Sequence, residues 1–347
     1  MARGTEADRE AAARKRGDSV SDRRRFIGTL VLLTAPLTLF AQQPAKVWRI
    51  GFLSPLSRQS MVDAGNEDAF LQGMREVGYI EGKNLTIEWR HADGDYERLP
   101  ALAAELVRLK VDVIVAAPSP AIRAAQRATT TIPIVFPTTG DPVGSGFAAS
   151  LRRPGGNLTG LSNTNLDISA KILELLSTIK PRMSRVAVLA NPGSSTEHAI
   201  LKSIELAAQT SSLRILTVEA QTPEEIERGF ATMSRERVDA VIIAADAFLL
   251  MQRQQIAQLA IKFRLPSITQ GVNYAKVGGL MSYGQDATEG YRRAAGYVDR
   301  ILKGAKPGEL PIEQPTRLYL LINLQTANAL GLTVPQSLLL RADEVIQ

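Results

Sequence analysis

The chain has 347 residues, 45% of them hydrophobic and 22% charged, the balance of a globular protein long enough for two domains and a sizeable core. It has no cysteine, which excludes a disulfide framework, a thiolate metal site, a catalytic cysteine and a lipidated cysteine. Half of the formal charge of +6 sits in residues 1–41, and the remainder carries no basic stripe of the kind that binds nucleic acid.

Arg23-Arg24-Arg25-Phe26-Ile27 stands before a moderately apolar run from Leu30 to Phe40, and Ala41 follows as a small residue ahead of Gln42-Gln43-Pro44. A basic region, a short apolar core and a small residue describe a cleaved export signal over 1–41. The apolar run is shorter than the roughly 20 residues that a stable membrane anchor needs. The paired arginines resemble a Tat signal, with Asp22 in place of the usual Ser or Thr and Gly28 in place of the common Lys, so the Tat and Sec routes both stay open. The expected compartment is the periplasm.

Val47 to Leu53 reads as a strand ending at Ser54-Pro55, and apolar spacing through Ala69, Phe70, Met74 and Val77 predicts a helix over about 63–77, closed by Gly78. Asn84–Arg90 alternates as a strand, and Tyr96–Leu109 reads as a helix. Val111–Ala116 is a buried strand, with Ser119 as N-cap and Pro120 in the first turn of the helix after it. The run 132–136 stops at Pro137 and opens into Thr138-Thr139-Gly140-Asp141, as a parallel strand does when its tip faces a cleft. Pro154-Gly155-Gly156-Asn157 then forms a turn.

A second series repeats the first. Arg185–Pro192 echoes Arg49–Pro55, Val238–Ile243 echoes Val111–Val115, and Leu265–Thr269 echoes Ile132–Phe136. The pairs Arg49/Arg185, Asp112/Asp239 and Pro133/Pro266 are offset by 136, 127 and 133 residues, a near-constant spacing that implies two lobes of one topology. Helices are expected at about 167–180, 195–209, 223–235, 249–263 and 288–302, with strands at 279–283 and 319–322 and a final helix at 324–330. The fold expected is α/β, two doubly wound parallel-sheet lobes joined by about three crossovers near 160, 284 and 312. Lobe 1 is expected to comprise 46–160 plus about 285–312, and lobe 2 about 161–284 plus 313–347.

Asp141-Pro-Val, Arg153-Pro-Gly-Gly-Asn-Leu-Thr-Gly160 and Gly279-Leu-Met-Ser-Tyr-Gly284 together resemble the bacterial ABC-transporter substrate-binding proteins related to tryptophan- and tyrosine-binding proteins, over about 46–347. The resemblance implies the type I periplasmic-binding fold. It also implies a role in import, in which the chain captures a small solute between its lobes and delivers it to a membrane permease driven by a separate ATPase subunit. An amino acid or aromatic amino-acid-like compound is the ligand suggested by the named relatives.

Ligands of doubly wound sheets bind beyond the C-terminal strand ends. The candidate ligand-binding residues at those tips are Ser54, Ser119, Thr138, Asp141, Asn191, Asp246, Phe248 and Tyr283, with Ser194 and Gln270 in the same loops. Ser119 is read as holding a ligand carboxylate, capping its helix, or both. Asp246, directly off a buried strand, pairs with a ligand amine or caps the next helix. Asp141 and Asn191 are turn residues or ligand contacts. Phe248 and Tyr283 either stack on a flat ligand or belong to the core. His91-Ala-Asp93-Gly-Asp95-Tyr-Glu97 reads as a polar turn in preference to a metal site, and His198 as a surface residue. With two distant histidines and no G-x-S-x-G elbow, P-loop or dinucleotide fingerprint, no catalytic residue, cofactor or metal is expected. A monomer is expected. The alternatives are an exported sensor module that uses the same cleft, and a two-lobe periplasmic enzyme.

Overall fold

The computed structural model describes residues 46–193, 197–211, 213–314 and 316–347. The export signal expected over 1–41, and Ser194, lie outside these residues. No helix among the described residues is long and apolar enough to cross a membrane.

The first lobe lays down β1 (Trp48–Ser54), α1 (Arg58–Asp63), α2 (Asn66–Glu76), β2 (Leu85–His91), α3 (Leu99–Arg108), β3 (Val113–Ala116), α4 (Ser119–Ala128), β4 (Ile134–Phe136) and β5 (Leu158–Gly160). The second continues with α5 (Ser169–Ile179), β6 (Arg185–Ala190), α6 (Glu197–Gln209), β7 (Arg214–Glu219), α7 (Pro223–Arg235), β8 (Ala240–Ile243), α8 (Ala247–Met251), α9 (Arg253–Lys262), β9 (Ser267–Thr269), α10 (Asn273–Lys276) and β10 (Met281–Gly284). Then α11 (Ala287–Leu302) packs back on α2 in the first lobe. The chain ends in the second lobe with β11 (Tyr319–Asn323), α12 (Leu324–Ala329), α13 (Gln336–Leu339) and β12 (Glu344–Ile346).

The first sheet has the order β2-β1-β3-β4-β5, all parallel, and the second runs β12-β11-β10-β9-β8-β6-β7. Read from β7 to β10, the second sheet repeats the order of the first strand for strand. The repeat extends to individual bonds. Asp112 accepts from Arg49 N through its carboxylate at 2.8 Å and returns its own N–H to Arg49 O. Asp239 makes the same pair with Arg185, at 3.0 Å. Pro133 O accepts from Ile114 N, and Pro266 O from Val241 N. A proline can start a strand because its carbonyl still pairs while its missing N–H lies at the sheet end.

Both faces of each sheet are covered. Along β6, Val186, Val188 and Ala190 enter one core with α5 and α6, while Ala187 and Leu189 enter another with α7 and α9. Burial on both sides explains why these strands read as unbroken apolar runs. The chain passes between sheets between Gly160 and Ser169, between Gly284 and Ala287, and between Glu313 and Tyr319.

Several elements differ from the sequence reading. The helix expected over 63–77 is α2, which starts only at Asn66 because Gly65 ahead of it takes a left-handed φ of 71°, and α1 before it went unread. The helix expected over 249–263 is broken at Gln252 into α8 and α9. Strands β5, β7 and β12 and helices α10 and α13 went unread; most are too short for periodicity, and β7 is a partly exposed edge strand. The second sheet is not wholly parallel, since β11 pairs antiparallel to β10 after the chain re-enters from the first lobe.

Gly160 closes β5 at φ 152°, and a methyl group there would overlap the Phe136 carbonyl of the neighbouring strand. Its counterpart Gly284 closes β10, equally tight against the Gly271 amide. Both crossings thus begin where no side chain fits. Gly160→Ala is expected to cost about 2 kcal/mol from overpacking, lowering the melting temperature by about 4 °C or more. A calorimetric scan that matches the parent protein would show that the strand end relaxes freely.

Candidate functional site

The strand tips of the two sheets face a common cleft of about 510 Å³, a size suited to a small metabolite. From the first lobe come the start of α4 and the loop after β4; from the second, the loops after β8 and β9 and the start of α9. The crossings supply Ser162, Asn163, Asn165, Gln285 and Asp286 as part of the wall.

A chain of hydrogen bonds links the lobes beside this cleft. Asn163 Nδ2 donates to Thr138 Oγ1 at 3.1 Å, Asn163 Oδ1 accepts from Asn165 N at 3.1 Å, and Gln270 Nε2 donates to Asn165 O at 2.6 Å. The first crossing is therefore tied to the tip of β4 on one side and to that of β9 on the other. Four buried polar atoms of lining residues have no hydrogen-bond partner among the described residues: Asn66 Oδ1, Ser162 Oγ, Arg253 Nε and Gln270 Oε1. Such atoms are costly to bury unpaired, and all four belong to residues of the cleft wall.

A second connection is made by α8. Ala247 is buried in the core of the first lobe, with Leu250 and Met251 packed against it, although the helix belongs to the second lobe by chain order. Tyr96 Oη donates to Asp246 Oδ2 at 2.8 Å, and Phe248 N donates to Tyr96 Oη at 3.3 Å. Burial, then the neighbouring Asp246 carboxylate, hold the Tyr96 hydroxyl far above the usual tyrosine range, so it remains a donor.

Of the eight residues singled out from sequence, Ser119, Thr138, Asp141 and Asp246 line the cleft; Ser54, Asn191, Phe248 and Tyr283 do not. Ser119 is not the N-cap, a place taken by Pro118; it lies inside the helix start, and its hydroxyl bonds Thr139 Oγ1 at 2.9 Å. Asp141 Oδ1 accepts from Gly144 N, the turn role. Asp246 caps α8 through Leu249 N, and the same oxygen accepts from Asn191 Nδ2, while the other accepts from Tyr96. A carboxylate so occupied is a structural joint, in place of the free charge expected for a ligand amine. Ser54 is fully buried and accepts from Leu56 N. Asn191 folds its side chain back on Gly193 N as well as Asp246. Phe248 is a core residue of the second lobe, and strand alternation turns Tyr283 to the same face as Met281, towards α5 and away from the cleft.

The reading missed Arg123, Asn163, Asn165, Arg253 and Asp286. Arg123 was legible in principle, being one helical turn beyond Ser119 and so on its face. The polar run Ser162-Asn163-Thr164-Asn165 directly after the Gly160 crossing was a second signal. Arg253 had none. His198, read as a surface residue, is exposed and lies at the cleft.

A family model described as ABC transporter substrate binding protein matches residues 49–346. The tyrosine-binding protein of Clostridioides difficile is 26% identical over 263 residues, which cover 76% of this chain and 75% of the relative. Among solved structures, a Vibrio cholerae protein described as a conserved domain protein superposes with a TM-score of 0.81 at 26% identity, covering 86% of this chain and 100% of its own. A Streptococcus pneumonia protein solved in complex with L-Trp gives 0.79 at 24% identity, covering 86% and 99%.

The buried tyrosines set an alkaline limit. Tyr96, Tyr274 and Tyr291 all have hydroxyls raised by burial, so the folded chain keeps protons that the unfolded chain loses above about pH 10. Stability is therefore expected to be level up to about pH 9 and to fall beyond pH 10. Tyr96→Phe should remove about 2 kcal/mol at neutral pH, as for a hydrogen bond to a charged group, and make the alkaline fall shallower. Denaturant titrations of the two proteins at pH 8 and 10.5 check both statements, and equal slopes would remove Tyr96 from the account.

Proposed function

We propose a function from one premise: the chain belongs to the ABC transporter substrate-binding protein family. In this reading it captures a small solute, an amino acid or aromatic amino-acid-like compound, between its lobes and delivers it to a membrane permease with its ATPase subunit. Residues 1–41 direct it to the periplasm, and it works as a monomer, as a clamp that must open freely would. It performs no chemistry on the solute. Its moving parts are the lobes 46–160 with about 285–312 and about 161–284 with 313–347.

The observation that carries this reading is the cleft shared by both lobes, with unpartnered polar atoms of Asn66, Ser162, Arg253 and Gln270 in its wall. A solute that contacts both lobes at once favours their approach, because only the closed arrangement makes both sets of contacts. The ligands named for the relatives, tyrosine and L-Trp, support the solute class. The lining offers apolar wall as well, from Leu56, Leu166, Leu250 and Tyr291.

The test is a thermal-shift screen of the full chain against amino acids, nucleosides, sugars and organic acids. Binding to the folded state alone adds about 2.7 kcal/mol at a hundredfold excess over Kd, a rise of about 5 °C or more. The expected outcome is a shift with an amino acid. A chain that responds to none of the panel would count against solute capture. In sedimentation the protein is expected to run as a monomer with and without solute, and a tight dimer would contradict the clamp.

A further inference from the structure

The cleft holds two arginines that have no carboxylate partner among the described residues. Arg123 of α4 donates to Gln126 Oε1 at 2.8 Å and to the Ser145 carbonyl, and its guanidinium lies over the Phe147 ring at 4.4 Å. Arg253, the first residue of α9 in the other lobe, donates through Nη1 to Leu250 O at 3.0 Å, while its Nε is sealed from solvent without a partner. Among the described residues neither has a carboxylate within ion-pair distance, unlike Arg58, Arg90 and Arg185, each of which has one. The contacts of Arg123 fix its plane, and those of Arg253 leave donors over. A guanidinium does not lose its charge by deprotonation, so a partly buried one without a carboxylate partner favours an anion brought beside it.

The carboxylates at the cleft do not supply that anion. Asp141 is turned to Gly144 N, Asp246 to Tyr96, Asn191 and Leu249 N, and Asp286 to the backbone and hydroxyl of Thr288. Their presence limits the anion that enters. Three negative groups around a small cavity disfavour a doubly charged phosphate, whereas a singly charged carboxylate meets one guanidinium in a two-pronged fit.

We infer that the ligand of this cleft carries a carboxylate and that Arg253 receives it. The inference rests on the capture reading above and names the charge class of the solute. Arg123, on the first-lobe side of the same cleft, adds a second positive charge to the wall that the carboxylate meets.

The experiment pairs acids with amines that lack only the carboxylate: L-tryptophan with tryptamine, L-tyrosine with tyramine and L-leucine with isoamylamine. Calorimetric titrations use the full chain, Arg253→Gln and Arg253→Lys. The wild type is expected to bind at least one acid and to bind its amine tenfold or more weakly. Arg253→Gln should lose about tenfold or more for the acid, with its unliganded melting temperature unchanged, and Arg253→Lys should fall between, since it keeps the charge without the fork. Equal affinity for an acid and its amine, or wild-type affinity in both variants, overturns the inference. A wild type that binds neutral sugars or nucleosides and none of the acids also overturns it, yet spares solute capture. One that binds nothing overturns capture itself.

Discussion

Tyr96 and Asp246 are 150 residues apart in sequence, and the hydrogen bond between them holds the cleft in the shape described above. Asp246 works in two directions at once. It caps α8 within its own lobe, and it accepts from a tyrosine of the other. The helix it caps is short, five residues, and has little stability of its own. Its cap, the Tyr96 bonds and the packing of Ala247, Leu250 and Met251 in the first-lobe core keep it in place. The shape of the cleft therefore depends on one carboxylate being correctly partnered, which is why its role is structural in the first instance.

The link is modest beside the forces that hold each lobe together. Each sheet is buried on both faces among fully enclosed Val, Ile, Leu and Phe side chains, and such cores hold as units. Between lobes the contacts include the α8 face, the Tyr96 bonds, the polar chain from Thr138 through Asn163 and Asn165 to Gln270, and the Tyr319 hydroxyl donating to Glu289. A few hydrogen bonds, each worth about 1 kcal/mol net, are of the size that a small solute can outweigh. The crossings beside them begin at Gly160 and Gly284, where close backbone contact fixes the path of the chain before it turns. Stiff lobes and a lightly held junction follow from the same sequence because apolar burial was spent within each lobe.

The interior of the cleft reverses the logic of the surface. Outside, arginines and lysines meet carboxylates in exposed pairs of little energetic consequence. Inside, the carboxylates are turned to backbone amides and hydroxyls, while Arg123 and Arg253 are left with neutral acceptors and an aromatic ring. The unpartnered atoms of Asn66, Ser162 and Gln270 share that wall. The cavity joins polar wall to apolar wall from Leu56, Leu166, Leu250 and Tyr291, the combination that orients a small amphipathic molecule.

The lobes were legible in the chain because their cause is local. Buried strands read as apolar runs, helices as 3.6-residue stripes, and the repeated Arg, Asp and Pro at strand starts are the same hydrogen bonds made twice. The tips of the strands followed from where those runs stop, so Ser119, Thr138, Asp141 and Asp246 were placed at the cleft. What those residues do there was not legible. Asp246 needed Tyr96 from the other lobe, Tyr283 needed the facing of its strand, Arg253 needed the break between α8 and α9, and Asn163 needed the path of the crossing. Periodicity reports a residue's relation to its own helix or strand. Which side chains share a cavity depends on how two separately folded lobes are set against each other, and only the tertiary structure decides that.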